Sequence, residues 1–305
     1  METIGITGGT GFVGQHLIKL LTEKGYRVII FTTGSLKKSS ENQVAYASWD
    51  PKSAAIDEDA LKGLDAMVHL AGAGIADKRW KPKRKLEITN SRVKGTEFIV
   101  GQLKAHARNC TTFIAASATG FYGPDNGRKP FTEDATAYND FLGNTCRLWE
   151  EASAKAASFA RTTILRFGIV LGKESGAFPK FMQPISMGVM PILGSGGQIM
   201  SWIEVDDLAR MIVFALEHKN ILGIYNAVAP HANSHWQLMH TLAKVKGGVK
   251  LPFHVPSALL KILLGEMSVE VLKSCTVSAQ KIQEAGFTFQ YPELEGAIKS
   301  ILNKN

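Results

Sequence analysis

Cysteine is scarce: Cys110, Cys146 and Cys275 are the three in 305 residues, and none belongs to a C-x-x-C pair. An odd, widely spaced set excludes a disulfide framework and sets the expectation of a reduced, cytoplasmic chain. No apolar run reaches the roughly twenty residues that cross a bilayer, and the first strand follows Met1 too closely for a signal peptide, so no membrane partner is expected. Acidic residues are outnumbered, 27 against 35, for a net charge of +8. The lysines are scattered and no nucleic-acid module is present, so the excess is assigned to anionic small ligands rather than to nucleic acid. His231, His235 and His240 have no carboxylate beside them to complete a metal site, and no metal is expected. There is no internal repeat or low-complexity segment, and nothing specifies an oligomeric state.

What is present is concentrated at the start. The apolar run Ile4 to Ile6 leads into Thr7, Gly8, Gly9, Thr10 and Gly11, and Phe12, Val13 and Gly14 open a helical pattern. This is a strand, a tight turn and a helix start. Gly8 supplies a backbone conformation closed to other residues, Gly11 a close approach to a ligand, and Gly14 a helix lying close on the sheet. The helix N–H groups then face whatever sits over the turn, and a diphosphate suits both those donors and the helix dipole. Gly8, Gly9, Thr10, Gly11, Phe12, Val13 and Gly14 are therefore candidate dinucleotide-binding residues.

The pattern that follows alternates strands and helices. Tyr26 to Thr32 reads as a second strand and is followed by no carboxylate before Glu41, although an acidic residue here would hold the ribose of NAD. Thr33, Ser35 and Lys37 offer hydroxyls and a cation instead, which favours NADP, with NAD the alternative cofactor. Gln43 to Ser48 reads as a third strand and Ala66 to Leu70 as a fourth, which leads into Ala71, Gly72, Ala73 and Gly74, small enough for a cofactor to pass the backbone closely, so Leu70, Ala71 and Gly72 are candidate cofactor contacts. His69 reads as a packed strand residue. Thr111 to Ala116 is a fifth strand, Arg161 to Leu171 a sixth, and Ile224 to Val228 a last one. Asp206 or Asp207 is expected to cap a helix with Leu208, Met211, Ile212 and Ala215 inward.

TGGTGFVG resembles the extended branch of the short-chain dehydrogenase/reductase superfamily, and longer phrases narrow the likeness. Arg79, Trp80, Ser91, Arg92 and Thr96, SATGFYG at 117–123, FTED at 131–134, LRFGIVLG at 165–172, SWIEVDDLAR at 201–210, YNAVAP at 225–230, LPFHVPSALLKILLGE at 251–266 and AGFTFQYPEL at 285–294 follow in order. They are similar to the atypical members commonly labelled nucleoside-diphosphate-sugar epimerases or cell-division-inhibitor homologues, which end in a small domain of unknown function. The resemblance implies a Rossmann-like doubly wound parallel α/β sheet over residues 1–172, with 203–230 returning to it. Residues 173–202 and 231–305 would form a smaller C-terminal substrate lobe. It also implies an adenine contact from Asp50, and Arg79, Trp80, Arg166, Ser201 and Trp202 as candidate contacts to a small-molecule substrate.

Relatives carry a Ser or Thr after the fifth strand and Y-x-x-x-K further on, the lysine helping a tyrosine of pKa about 10 to work at neutral pH. Here Leu142 falls at the tyrosine and Cys146 at the lysine when Glu150 sets the register; a one-residue slip brings in Arg147, which lends no protons. Ser117, Thr119 and Tyr122 are the catalytic candidates, with Tyr138 as a second source of acid. Two functions follow. One is an NADP-dependent oxidoreductase or epimerase acting on a hydroxyl or carbonyl, nucleotide sugars among them. The other is an NADP(H) sensor without turnover.

Overall fold

The structure is a computed structural model that describes residues 2–34, 36, 43–127 and 129–303. Its first half runs β1 (Thr3–Thr7), α1 (Phe12–Glu23), β2 (Arg27–Thr32), β3 (Val44–Asp50), β4 (Ala55–Ile56), α2 (Glu58–Lys62), β5 (Ala66–His69), α3 (Pro82–His106), β6 (Thr112–Ala118), α4 (Phe141–Ala154) and β7 (Arg161–Phe167). There follow β8 (Ile169–Leu171), α5 (Phe178–Ser186), β9 (Val189–Leu193), β10 (Ile199–Met200), β11 (Trp202–Glu204), α6 (Val205–Glu217) and β12 (Gly223–Ala227). The chain closes with β13 (Asn233–Ser234), α7 (His235–Lys246), β14 (Leu251–Val255), α8 (Ser257–Leu264), α9 (Ser268–Leu272), α10 (Gln280–Glu284) and α11 (Leu294–Asn303).

Eight strands form the main sheet in the order β12-β7-β6-β5-β1-β2-β3-β4, parallel except for the β3–β4 pair. The strands are apolar on both faces, as a parallel sheet covered by helices requires. Ile4, Ile6, Val28, Ile30, Val68 and Ile114 meet the core on the side of α1 and α6. The alternate residues Ile29, Phe31, Met67, Phe113 and Ala115 meet Ile99, Val100 and Leu103 of α3 on the other. From β1 the chain winds outward through β2, and from β5 it winds the opposite way through β6. The carboxyl ends of β1 and β5 thus flank the point where the order reverses, where such sheets hold ligands.

A third apolar cluster, separate from these two, gathers Phe178 and Ile185 of α5, Met190 and Ile192 of β9, Leu238 and Leu242 of α7, and Ile298 and Ile301 of α11. The segment 274–278 laces this part to the main sheet. Asp125 N and Phe131 N donate to Ser274 O and Thr276 O, both at 2.8 Å, and Cys275 N donates to Ile199 O at 3.0 Å.

Two sequence expectations need correction. The sixth strand expected over 161–171 is two strands, because Gly168 N bonds Ala227 O (3.0 Å) while Ile169 N turns away to Ser201 O (2.9 Å), so β8 pairs with β11 and not with the main sheet. The cap of α6 is Glu204, whose carboxylate accepts from Asp206 N (2.6 Å) and Asp207 N (3.2 Å). Buried Asp207 instead accepts from Gln290 N (2.9 Å) and Tyr291 N (2.7 Å), fastening the C-terminal segment. Among the described residues no helix is both long and apolar enough to cross a membrane.

Candidate functional site

The turn after β1 closes with Gly11 N donating to Gly8 O at 3.0 Å. Gly8 has φ +72°, and a Cβ there would come within 2.9 Å of Ala71 N, so both conformation and space demand glycine. A Cβ on Gly14 would lie 2.5 Å from Gly8 O and 2.6 Å from Gly9 Cα. This is what lets α1 begin directly on the turn. Its N-cap, Gly11, offers no side-chain acceptor, so no side chain caps the amides of the first turn.

Over that turn lies a cavity of about 780 Å³. Gly8, Thr10, Gly11, Thr33, Leu70, Ala71 and Gly72, all expected from the sequence, line it. The other turn residues support it from behind: Gly9 backs onto Ile30 and Ile18, Val13 packs on the core, and the Phe12 ring meets His16 edge-on at 5.6 Å. Asp50 stays out of the lining, because its carboxylate accepts from Lys52 N (3.0 Å) and Ser53 Oγ (2.8 Å) and shapes the turn after β3. Its neighbours Trp49, Pro51 and Lys52 line the cavity. Ser35 and Lys37 lie outside the described residues.

The wall opposite the turn is α3, through Glu87, Asn90, Ser91 and Lys94, which sequence reasoning missed. Their 3–4 spacing was a legible sign of one helical face, but not of what it faces. The same helix fixes the loop after β5: Ser91 Oγ accepts from Ala73 N (3.0 Å), Arg92 Nη1 donates to Ala73 O (3.0 Å), and Arg84 Nη2 donates to Gly74 O. His69 is a packed residue as expected, bonded to Thr7 Oγ1 (2.6 Å) and Thr96 Oγ1 (3.0 Å), and burial pushes its pKa down to about 4. His16 bonds Asp206 (2.6 Å) and Glu174 (3.4 Å), and the Asp206 hydrogen bond holds its pKa above the usual value against partial burial.

Beneath the ends of β6 and β7 three of the proposed catalytic and substrate residues, Ser117, Tyr122 and Arg166, meet in one hydrogen-bonded cluster. Arg166 sits opposite Ser117 in the sheet, and its Nε and Nη2 make a bidentate pair with Glu150 at 2.8 and 2.7 Å. Ser117 Oγ donates to Glu150 Oε1 (2.6 Å), Arg166 Nη1 to Tyr122 Oη (2.7 Å), and Tyr122 Oη to Asn226 Oδ1 (2.7 Å). All five side chains are buried. Burial raises the Tyr122 pKa to about 12, despite the opposing Arg166, which is the wrong direction for a proton donor at neutral pH. The hydrogen-bonding atoms of Ser117, Tyr122 and Arg166 are thus turned toward one another and toward Glu150 and Asn226.

Ser201 and Trp202 are likewise committed to the fold. Ser201 Oγ donates to Cys275 O and accepts from Val277 N, both at 2.9 Å, and Trp202 Nε1 donates to Asn233 Oδ1 (2.8 Å) and His231 O (3.1 Å). Thr119 differs: it is half-buried in the turn after β6, and its hydroxyl has no partner among the described residues. Trp80 donates to Ile75 O (3.0 Å) and meets Phe141 of α4 edge-on, while exposed Arg79 lies against Gly265. Tyr138 is 46 % exposed and covers Gly123.

The helix expected to carry tyrosine and lysine presents buried Leu142 and Cys146, both against Gly120. Burial drives the Cys146 thiol up to about 12, which favours the neutral thiol over the thiolate. Arg147 points elsewhere, pairing with Glu151 (2.6 Å) on the rim of a second cavity, about 600 Å³, against Ile164 and Ile224. No group of three or more His, Cys, Asp or Glu among the described residues could hold a metal ion.

The reversal of strand order, the glycine turn beneath it and the uncapped helix define a dinucleotide-binding α/β protein of the extended short-chain dehydrogenase/reductase kind. The chain belongs to the NAD dependent epimerase/dehydratase family, whose model it matches over residues 4–227, and residues 255–301 match a domain of unknown function, DUF1731. It is 37 % identical to the epimerase family protein YfhF of Bacillus subtilis over 302 residues, covering 98 % of this chain and 97 % of that one. The human epimerase family protein SDR39U1 (isoform 2), solved with NADPH, superposes with a TM-score of 0.86 at 25 % identity, over 98 % of each chain. The UDP-glucose 4-epimerase of Thermotoga maritima, solved with UDP-glucose, shares the fold with a TM-score of 0.79 at 22 % identity, over 98 % of this chain and 97 % of that one.

Proposed function

We propose that the chain binds NADP(H) in the cavity above the Gly8–Gly14 turn and acts as an oxidoreductase or epimerase of the extended short-chain class. The observation that carries this is the uncapped N-terminus of α1 beside the cavity, at the point where the strand order reverses. The human relative solved with NADPH supports the choice of cofactor, as do Thr33 and Lys52 in the cavity wall where a carboxylate would oppose a 2′-phosphate. Bound NADPH would supply a hydride to a carbonyl. The chain's own part is to hold the diphosphate on the first-turn amides and to seat the adenosine between β2, β3 and α3.

The substrate is a hydroxyl or carbonyl compound, with nucleotide sugars the class suggested by the Thermotoga neighbour. We assign its binding to the lobe of residues 173–202 and 231–305 together with Arg79 and Trp80. With Tyr122 locked in the core, Thr119 is the remaining hydroxyl of the three candidates able to meet a substrate oxygen.

A second reading, an NADP(H) sensor without turnover, is favoured by Leu142 and Cys146 filling the places of the proton relay. Incubation of the pure protein with NADPH and a panel of carbonyls and nucleotide sugars separates the two. NADPH oxidation or sugar interconversion that falls at least tenfold in Thr119→Val establishes the enzyme; saturable binding with neither across the panel establishes the sensor.

A further inference from the structure

The buried stripe of α3 runs Arg84, Ile88, Arg92, Thr96, Ile99 and Leu103, so two guanidinium groups stand on the face that meets the core. Arg84 is answered by Asp77 (3.3 Å) and Glu87 (2.8 Å). Arg92 has no carboxylate within salt-bridge reach among the described residues, yet it is only 8 % exposed. Its Nη1 donates to Ala73 O (3.0 Å) and Ile88 O (3.2 Å). Its Nε and Nη2 have no hydrogen-bond partner among the described residues, and unlike Arg84 Nε they are not sealed within packing. Two donors without an acceptor from the protein, on a guanidinium with no counter-charge beside it, suit a ligand that brings oxygen atoms to them.

The position says what that is. The guanidinium lies over the Trp149 ring, 5.1 Å from its centre, and Trp149 follows Cys146 by one turn on α4. A Cβ built on Gly72 would be 3.4 Å from Arg92 Cζ, and Gly72 and Ala73 line the cofactor cavity, so the guanidinium stands directly behind that lining. The charge that α4 lacks at Cys146 is therefore delivered to the same neighbourhood from α3. Burial holds the Arg92 pKa below its ordinary value, consistent with a group that gains when a polar ligand arrives.

We propose that Arg92 binds the nicotinamide-ribose hydroxyls of NADP(H), in place of the lysine missing from α4. Two adjacent N–H groups of one planar fork suit two vicinal oxygens. A guanidinium holds those hydroxyls without lending a proton, so the site keeps its grip on the cofactor half that reacts while the tyrosine relay is gone. This rests on the NADP(H) reading above.

The test is calorimetric titration of the intact protein, wild type and Arg92→Gln and Arg92→Lys, with NADPH and with adenosine 2′,5′-bisphosphate, which lacks the nicotinamide half. Wild type should bind NADPH at least tenfold more tightly than the bisphosphate. Arg92→Gln should lose about tenfold for NADPH and less than twofold for the bisphosphate, and Arg92→Lys should recover part of the loss. Equal losses for both ligands would make Arg92 a brace for the 71–77 loop and overturn the assignment, as would unchanged NADPH affinity. If Arg92→Gln does not fold, equal affinity of wild type for the two ligands still overturns it. Failure of wild type to bind either ligand instead removes the NADP(H) reading itself.

Discussion

Two polar regions lie at the carboxyl edge of one sheet, and they are built in opposite ways. Beneath β6 and β7, the buried side chains of Ser117, Tyr122, Glu150, Arg166 and Asn226 turn their polar atoms on one another. Over β1 and β5, backbone amides and the α3 face point into about 780 Å³ of space. The first arrangement is complete as it stands; the second gains from a ligand. Function is read from donors still seeking acceptors, not from the density of polar residues.

The largest effect expected from breaking this contrast is on stability, in the closed cluster. Glu150→Ala strands the Arg166 guanidinium and should cost about 3–5 kcal/mol. Glu151→Ala, removing the exposed partner of Arg147, should cost less than about 1 kcal/mol. Denaturant unfolding of the two variants measures the difference, and similar losses would mean that the cluster is not sealed.

In the open region the effect should fall on binding. Gly14→Ala forces a Cβ into Gly8 O and Gly9, displacing α1 from the turn. We expect NADPH affinity to drop about tenfold or more, on the order of 1–3 kcal/mol of strain. Unchanged affinity measured by calorimetry would detach the turn from cofactor binding.

Much of this was legible in the sequence. Gly8, Gly11 and Gly14 announced the turn because backbone conformation and close approach are local properties, and the strands showed as short apolar runs with turn residues between them. Partners across the fold were not. A serine or tyrosine after a strand reads alike whether it meets a substrate or, like Ser117 and Tyr122, a buried carboxylate and amide. The break at Gly168 was hidden inside a continuous strand-like run, since the cause is a change of hydrogen-bond partner. Arg92 left a faint sign: an arginine on a buried helical stripe with Thr89, Gly95, Ile88 and Thr96, none of them acidic, at three and four residues' remove.

The smallest expected effect concerns His16, which joins α1 to Asp206 at the start of α6 and to Glu174. Its folded pKa is raised above 6.5. Its contribution to stability should be full below that unfolded value and be lost as pH rises through the folded pKa. Solvent access keeps it to about 1 kcal/mol or less. Thermal melts from pH 5.5 to 8.5 should show this decline in wild type and a flatter curve in His16→Gln; parallel curves would mean the pair carries no net energy.

The most direct measurement is a calorimetric titration of the wild-type chain with NADPH and, separately, with NADH. Saturable binding of NADPH with one site per chain, tighter than that of NADH, is the expected result. Absence of heat and of any thermal stabilisation with both nucleotides, on protein shown to be folded, would contradict the assignment of the cavity.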